Sequence, residues 1–380
     1  LKIAVNTRLL LKNRLEGIGW FTKETLLRIT KEHPEHEFLF IFDRAYDESY
    51  VFSPNVKAVV ISPQARHPLL YRIYFNWSIP RILKKEKADL FLSPDGFLSL
   101  HTDVPQLAVI HDLNFEHHPE ALPSVVSKYY RKYFPKFAEK AARIATVSNY
   151  SKLDIANTYT IDPSKIDVVY NGANELYIPL SDEDVKQVRL KYSHGLPYFL
   201  FIGSLHPRKN VVNLLKAYEQ FRADSSQNIP LVIVGEAMWS NKDVEKELNT
   251  MTFKEDVIHL GRLQSAELKM ILGASLALTF IPIFEGFGIP ALEAMQSGVP
   301  VIASNTSSIP EVVGDAAILC DPDDIKQIAG AMEKVSENDQ LRKELIIKGL
   351  EQSEKFSWDR SAHLLWKSIE KTMQDVKAIQ

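Results

Sequence analysis

The residues with the clearest chemical promise stand together in Phe284-Glu285-Gly286-Phe287-Gly288-Ile289-Pro290-Ala291-Leu292-Glu293-Ala294-Met295. The segment follows an apolar run and opens a helical pattern. Gly286 and Gly288 let the backbone approach a ligand closely. Pro290 suits a first helical turn, where its missing N–H is no loss. Free N–H groups at a helix start favour phosphate. Two carboxylates would repel a bare phosphate, but they accept hydrogen bonds from vicinal hydroxyls. Glu285 in the loop and Glu293 two turns into the helix therefore point to a ligand carrying both phosphate and sugar. The plain alternative is a glycine-rich strand–helix turn with a capping carboxylate.

A second segment, Phe201-Ile202-Gly203-Ser204-Leu205-His206-Pro207-Arg208-Lys209-Asn210, also joins a strand to a helix. Adjacent cations are unfavourable at a helix N-terminus unless an anion joins them, so Arg208 and Lys209 predict a diphosphate. Two exposed surface cations are the alternative. Earlier in the chain, the 8–20 loop holds Gly17-Ile18-Gly19, short of a full G-x-G-x-x-G fingerprint. Val109-Ile110-His111-Asp112-Leu113 ends an apolar strand. His111 is either a polar group at a reacting centre or a satisfied structural histidine. His117-His118 has no spaced His/Cys set or acidic cluster around it, which argues against a metal site. The chain contains neither a P-loop nor a Gly-x-Ser-x-Gly elbow.

Placing these loops requires strands that end beside one another. Short β-rich apolar runs alternate with helical patterns almost throughout, for example strands at 3–6, 90–93, 107–111, 198–202, 276–280 and 299–303, with helices at 18–31, 69–85, 124–143, 210–223 and 287–297. Runs without polar alternation read as strands buried on both faces, and strand–helix–strand repetition implies parallel sheets. The reading is α/β, two doubly wound domains with a seam near 171–197. Ser181 is expected to cap a short helix there. The tail, about 324–377, is helical and cannot complete the second sheet.

Composition narrows the function classes. The 380 residues carry 45 Lys+Arg and 48 Asp+Glu, a net −3, without the basic excess of a nucleic-acid binder. The single cysteine, Cys320, rules out an intramolecular disulfide framework and fits a reducing, cytoplasmic setting. The first residues read as a strand and not as a leader, and no apolar run approaches the ~20 residues of a membrane span. The near-neutral total is a cancellation, +4 over residues 1–174 and −7 over 175–380. Residues 66–87 and 128–143 each hold six Lys/Arg and one Glu among aromatic residues. Such stretches suit an anionic membrane surface or a phosphorylated acceptor; the alternative is an ordinary helix with an aromatic core stripe.

Taken in order, the glycine loop near residue 17, the His111 strand end, the Arg208-Lys209 loop and Glu285 with Glu293 resemble the retaining glycosyltransferases of family four, which have the GT-B fold. The 285–311 stretch is especially similar, including Gly298-Val299-Pro300-Val301-Ile302-Ala303-Ser304 and Ser307-Ser308-Ile309-Pro310-Glu311. Val147-Ser148-Asn149-Tyr150-Ser151-Lys152 and Asn171-Gly172 match too. The resemblance implies two Rossmann-like domains facing a central cleft, with a C-terminal helix crossing back to the first. It divides the chain into residues 1–172 with 357–380, the acceptor side, and residues 173–356, which hold a nucleotide-sugar. It implies that Arg208 and Lys209 neutralise the departing diphosphate, joined by backbone N–H groups around Gly286, Phe287 and Gly288 and around Gly17 and Gly19. Glu293 would bind ribose, Glu285 the transferred sugar, and His111 would lie beside that sugar. Arg262 and Leu263 would flank the base, and Ser204 and the 304–308 loop would line the site.

The implied reaction is transfer of a hexose, mannose or glucose first, from a GDP- or UDP-sugar to a glycan or lipid-linked acceptor in cell-surface polysaccharide synthesis. It implies no cofactor beyond the donor, no metal, no nucleic acid, and work in the cytoplasm or at the inner face of the membrane. The competing functions are a sugar-nucleotide epimerase on the same fold and a nucleotide-sugar-binding protein without turnover. A phosphorylase would need a pyridoxal-phosphate lysine context and a dehydrogenase its dinucleotide fingerprint, and neither is found.

Overall fold

In the computed structural model, residues 1–12, 14–236 and 242–379 are described. Asn13 of the 8–20 loop lies outside them, as does Gln380 at the end of the first domain's range. The chain divides into two compact units, Leu1–Gly172 with Ser357–Gln380, and Ala173–Phe356.

The first unit is built on seven strands: β1 (Lys2–Asn6), β2 (Glu37–Phe42), β3 (Val56–Val60), β4 (Leu90–Ser93), β5 (Gln106–Val109), β6 (Arg143–Thr146) and β7 (Ile166–Val168). All pair in parallel in the order β3-β2-β1-β4-β5-β6-β7. The second unit has six: β8 (Phe199–Ile202), β9 (Leu231–Val234), β10 (Val257–Gly261), β11 (Ala277–Phe280), β12 (Val301–Ser304) and β13 (Ala317–Cys320), in the order β10-β9-β8-β11-β12-β13. Central strands such as β4, β8 and β11 are buried at every residue. That burial explains why they read as unbroken apolar runs. In each sheet the strand order reverses once, between β1 and β4 and between β8 and β11. The splayed loops at such a reversal leave a crevice outside the carboxyl ends, where open α/β sheets bind ligands.

Several boundaries differ from the sequence reading. The helix read over 124–143 stops at Lys140, because Arg143 opens β6, where it is buried against Asp167 and Asp375. β5 ends at Val109, so His111 lies two residues past the strand. Gly17 and Gly19 are the first turn of the helix Gly17–Glu32, not a loop ahead of it. The helix read over 287–297 starts at Ile289, which puts Glu293 little more than one turn in.

The tail follows its predicted course. Helices Ile325–Glu337 and Asp339–Ser353 pack in the second unit, and the last helix, Trp358–Ile379, packs on Gly17–Glu32 and beside β5 and β6 of the first. Gly172 makes that return possible: a Cβ there would lie 2.3 Å from the Trp358 backbone nitrogen. Asp167 then clamps the helix, accepting hydrogen bonds from Arg143, Ser368 and Lys371.

Candidate active site

Arg208, Lys209, Glu285 and the Gly286–Gly288 turn lie at the strand-order reversal of the second unit, while Arg262 and Leu263 follow its edge strand β10. After β8 the chain makes a short turn, Pro207–Lys209, whose carbonyl at Arg208 accepts from Ile283 N at 2.8 Å. This ties the β8 loop to the β11 loop. Across the tie, the Arg208 guanidinium pairs with Glu285 Oε1 and donates to the Phe284 carbonyl at 3.2 Å. Lys209 Nζ lies 2.5 Å from the same Glu285 oxygen and 5.0 Å above the Phe280 ring. Glu285 is 8% exposed and Lys209 equally buried. Burial alone would raise the Glu285 pKa, but the two cations outweigh it and hold the carboxyl below its usual range. The cluster therefore sets two cations on one carboxylate oxygen in a crevice largely withdrawn from water.

The Glu285 backbone is pinned from the other side. Its N–H donates to Ser307 Oγ at 3.1 Å, and Ser308 Oγ donates to its carbonyl at 2.9 Å. The 304–308 loop thus braces the glutamate. Gly288 caps the helix that follows at φ +105°, and a Cβ there would meet Ile309 Cδ1 at 2.6 Å, so only glycine fits. Gly286 and Phe287 are buried in this turn, and Phe287 packs edge-on against Phe356 at 5.5 Å.

Glu293 differs from the ionised ribose acceptor the sequence suggests. Burial pushes its carboxyl up to about 8, and the hydroxyl of Tyr177, donating to it, only partly offsets that. At neutral pH in the unliganded chain it is mostly protonated. Ser204 follows β8 half-buried, while Arg262 is exposed and Leu263 half-buried just beyond β10. Among the described residues nothing ties Arg262 or Leu263 to the charged cluster.

In the first unit the reversal between β1 and β4 carries a second buried polar set. The register sets Val5 opposite Leu92, which brings Asn6 beside Ser93. Asp95, just past β4, accepts from Asn6 Nδ2 at 2.8 Å, from Ser93 Oγ at 3.0 Å and from Arg8 Nε at 2.5 Å. His111 is half-buried, edge-on to Phe21 at 5.1 Å, and its Nε2 lies 2.9 Å from the Pro94 carbonyl. Desolvation lowers its pKa, against the pull of Asp112 and Asp95. Gly17 is exposed, while Gly19 is buried against Leu15 and the Leu9 carbonyl.

Comparison with known proteins puts these two polar sets in context. Residues 182–352 match the family described as Glycosyl transferases group 1, and residues 25–175 the one described as Glycosyltransferase Family 4. The chain belongs to glycosyltransferase family four. It is similar to O-antigen chain mannosyltransferase B of Escherichia coli, 28% identical over 363 residues that span 92% of this chain and 94% of that protein. It is also 28% identical over 289 residues to O-antigen chain mannosyltransferase RfbU of Salmonella typhimurium, covering 75% of each. Among solved structures, sucrose-phosphate synthase from Thermosynechococcus elongatus aligns with a TM-score of 0.78 at 16% identity, over 97% of this chain and 98% of that one. The fold is GT-B, two Rossmann-like units with a C-terminal helix returning to the first.

Sequence reasoning on this transferase missed Tyr177, Asn6, Arg8 and Asp95 as members of polar sets. Ser93-Pro94-Asp95-Gly96 is a legible turn after a strand, and Arg8 is a cation at a strand end, as Arg208 nearly is. Their pairing needed the β1–β4 register. Tyr177 lies in an irregular segment and gave no signal. His117 pairs with Asp154 at 2.7 Å. Among the described residues no group of three or more His, Cys, Asp and Glu side chains could hold a metal ion.

The two basic stretches come apart in the structure. Tyr71, Tyr74 and Phe75 are core, as are Tyr129 and Phe134. Leu69, Ile73 and Trp77 are exposed instead, at four-residue spacing along the helical run 68–86, with Arg66, Arg72, Arg81, Lys84 and Lys85 exposed around them. Among the described residues no helix is long and apolar enough to cross a membrane.

Proposed function

We propose that the chain transfers a hexose, mannose or glucose, from a nucleoside-diphosphate sugar to a glycan or lipid-linked acceptor in cell-surface polysaccharide synthesis, with retention at the anomeric carbon. One observation carries the proposal: the cluster of half-buried Arg208 with buried Lys209 and Glu285 at the strand reversal of the second unit. Its two adjacent cations suit a diphosphate, and its carboxylate suits sugar hydroxyls. The relatives named for mannosyl transfer to O-antigen chains favour mannose and the polysaccharide role.

In the reaction, Arg208 and Lys209 stabilise the negative charge that builds on the departing diphosphate. Such prearranged charges contribute most where water is excluded. Glu285 accepts hydrogen bonds from the transferred sugar, and Glu293 accepts from the ribose once ionised. Backbone N–H groups at Gly286, Phe287 and Gly288 add donors to the phosphates. Ser204, Arg262 and Leu263 line the donor's nucleoside end. In the first unit the exposed Gly17 leaves its backbone open, Gly19 being covered by Leu15, and His111 offers a sugar hydroxyl an acceptor. A carboxylate engaged with cations and hydroxyls is poorly placed as a nucleophile, so same-face displacement is favoured, the leaving phosphate taking the acceptor proton. Two cations on the diphosphate leave no need for a divalent ion, and turnover should survive chelation.

The test is incubation with a panel of GDP- and UDP-sugars, with and without lipid-linked acceptors, following free nucleoside diphosphate. Binding to none of them would sink the reading. Arg208→Ala should cost about 100-fold or more in turnover, the scale of losing one such electrostatic donor.

The exposed Leu69–Ile73–Trp77 stripe ringed by cations suits the anionic inner face of a membrane. Binding to anionic vesicles should fall with salt and with Trp77→Ser, and a lack of binding at low salt removes the idea.

A further inference from the structure

We propose that Asp95, held by Arg8, is a positioning residue that fixes the tautomer of His111 through the carbonyl of Pro94. The inference rests on the reading of His111 as a sugar-facing group. It goes beyond that reading by naming what sets the imidazole's chemistry.

A carbonyl oxygen can only accept a hydrogen bond, so the 2.9 Å contact between His111 Nε2 and Pro94 O requires a proton on Nε2. The partner of one ring nitrogen decides the state of the other. In the neutral ring Nδ1 is then the lone-pair atom, able to accept from a hydroxyl and unable to donate to one. The edge contact with Phe21 holds the ring plane. Burial lowers the ring's pKa, against the hydrogen bond to Pro94 and the charges of Asp112 and Asp95.

The Pro94 carbonyl is itself held in place. It belongs to a turn closed by Gly96 N donating to Ser93 O at 3.2 Å. Beside it, Asp95 is buried and takes donors from Asn6, Ser93, Arg8 and the Phe97 N–H. Arg8 is equally enclosed, its guanidinium 4.6 Å from the Phe97 ring centre and 2.9 Å from the Ala65 carbonyl. A surplus of buried hydrogen bonds on one carboxylate makes a rigid turn, and the one member of that turn facing an imidazole is the Pro94 carbonyl. The strand reversal in the sheet locates the set where a ligand is expected.

The experiment is long-range ¹H–¹⁵N correlation on the full-length protein with ring-labelled histidine, His111 being assigned by His111→Gln. The wild type should show His111 as a single tautomer with the proton on Nε2. Asp95→Asn should give an averaged pair of nitrogen signals and lower kcat by about 10-fold, the low end of what losing an outer hydrogen-bond partner costs a metal-bound histidine, with donor KM changed less than twofold. Arg8→Lys, a milder change, reads the same signal if Asp95→Asn does not fold. A pure Nε2–H pattern in either folded variant overturns the inference. A shifted tautomer with unchanged kcat leaves the inference standing and rejects the sugar-facing role of His111.

Discussion

Replacing Glu285 with Gln should weaken the unliganded protein and strengthen its grip on a nucleoside diphosphate. In the wild type one carboxylate oxygen serves both Arg208 and Lys209, and all three side chains are largely withdrawn from water. Removing one member of a buried ionic cluster costs about 3–5 kcal/mol, because the remaining charges stay desolvated without a counter-charge. Here two cations would lose the carboxylate oxygen they share. For a unit of this size about 1 kcal/mol shifts the midpoint by roughly 2–4 °C, so a loss on the order of 10 °C is expected. The effect belongs to the ionised carboxylate. The cations hold its pKa low, so the contribution is present above the ordinary carboxylate range and disappears as acid protonates Glu285. Wild type and Glu285→Gln should therefore converge at low pH.

A diphosphate supplies the missing counter-charge. In the wild type it must share the cations with Glu285; in the variant that competition is gone. Recovering about 1.4 kcal/mol of the lost stabilisation in the complex corresponds to tenfold tighter binding. Thermal shift with GDP and UDP, supported by calorimetry, measures this directly. The midpoint rise on adding nucleotide should be larger for Glu285→Gln than for wild type, while transfer activity falls because the sugar loses an acceptor. An unchanged midpoint without ligand, together with an equal or smaller nucleotide-induced rise, would refute the claim that Glu285 occupies the diphosphate's cations.

Glu293, raised to about 8 in the fold, holds a proton that the unfolded chain gives up near pH 4.3. Stability should decline as pH rises from 5 to 8 in wild type, and less so in Glu293→Gln. Donor binding that uses the ionised carboxylate should release close to one proton at pH 7, read by calorimetry in two buffers; no release would reject the ribose role. Gly288→Ala forces alanine to φ +105° and its Cβ into Ile309, for a loss of about 2–4 kcal/mol in denaturant titration. Asp167→Asn removes the charge that Arg143 and Lys371 share, so amide exchange should quicken in the helix Trp358–Ile379 with little change at β8 or β11.

Much of this protein is set locally and could be read from the chain. Buried parallel strands must be apolar on both faces, so β1, β4, β8 and β11 are visible as runs. Gly288 and Pro290 mark a helix start through backbone sterics alone. The mismatch of Arg208-Lys209 with a helix N-terminus points to an anion without any structure. The tertiary structure decided which distant groups meet. Arg208, Lys209 and Glu285 become one cluster only because the sheet order sets β8 beside β11. Arg8 and Asp95 pair only because β1 lies beside β4, and sequence separation carries no mark of that register. Protonation was likewise beyond the sequence. Glu285 and Glu293 are the same residue type eight positions apart, yet one is held ionised by two cations and the other is kept mostly neutral by burial. The pKa of a carboxyl depends on the charges and solvent around it, and the fold alone supplies those.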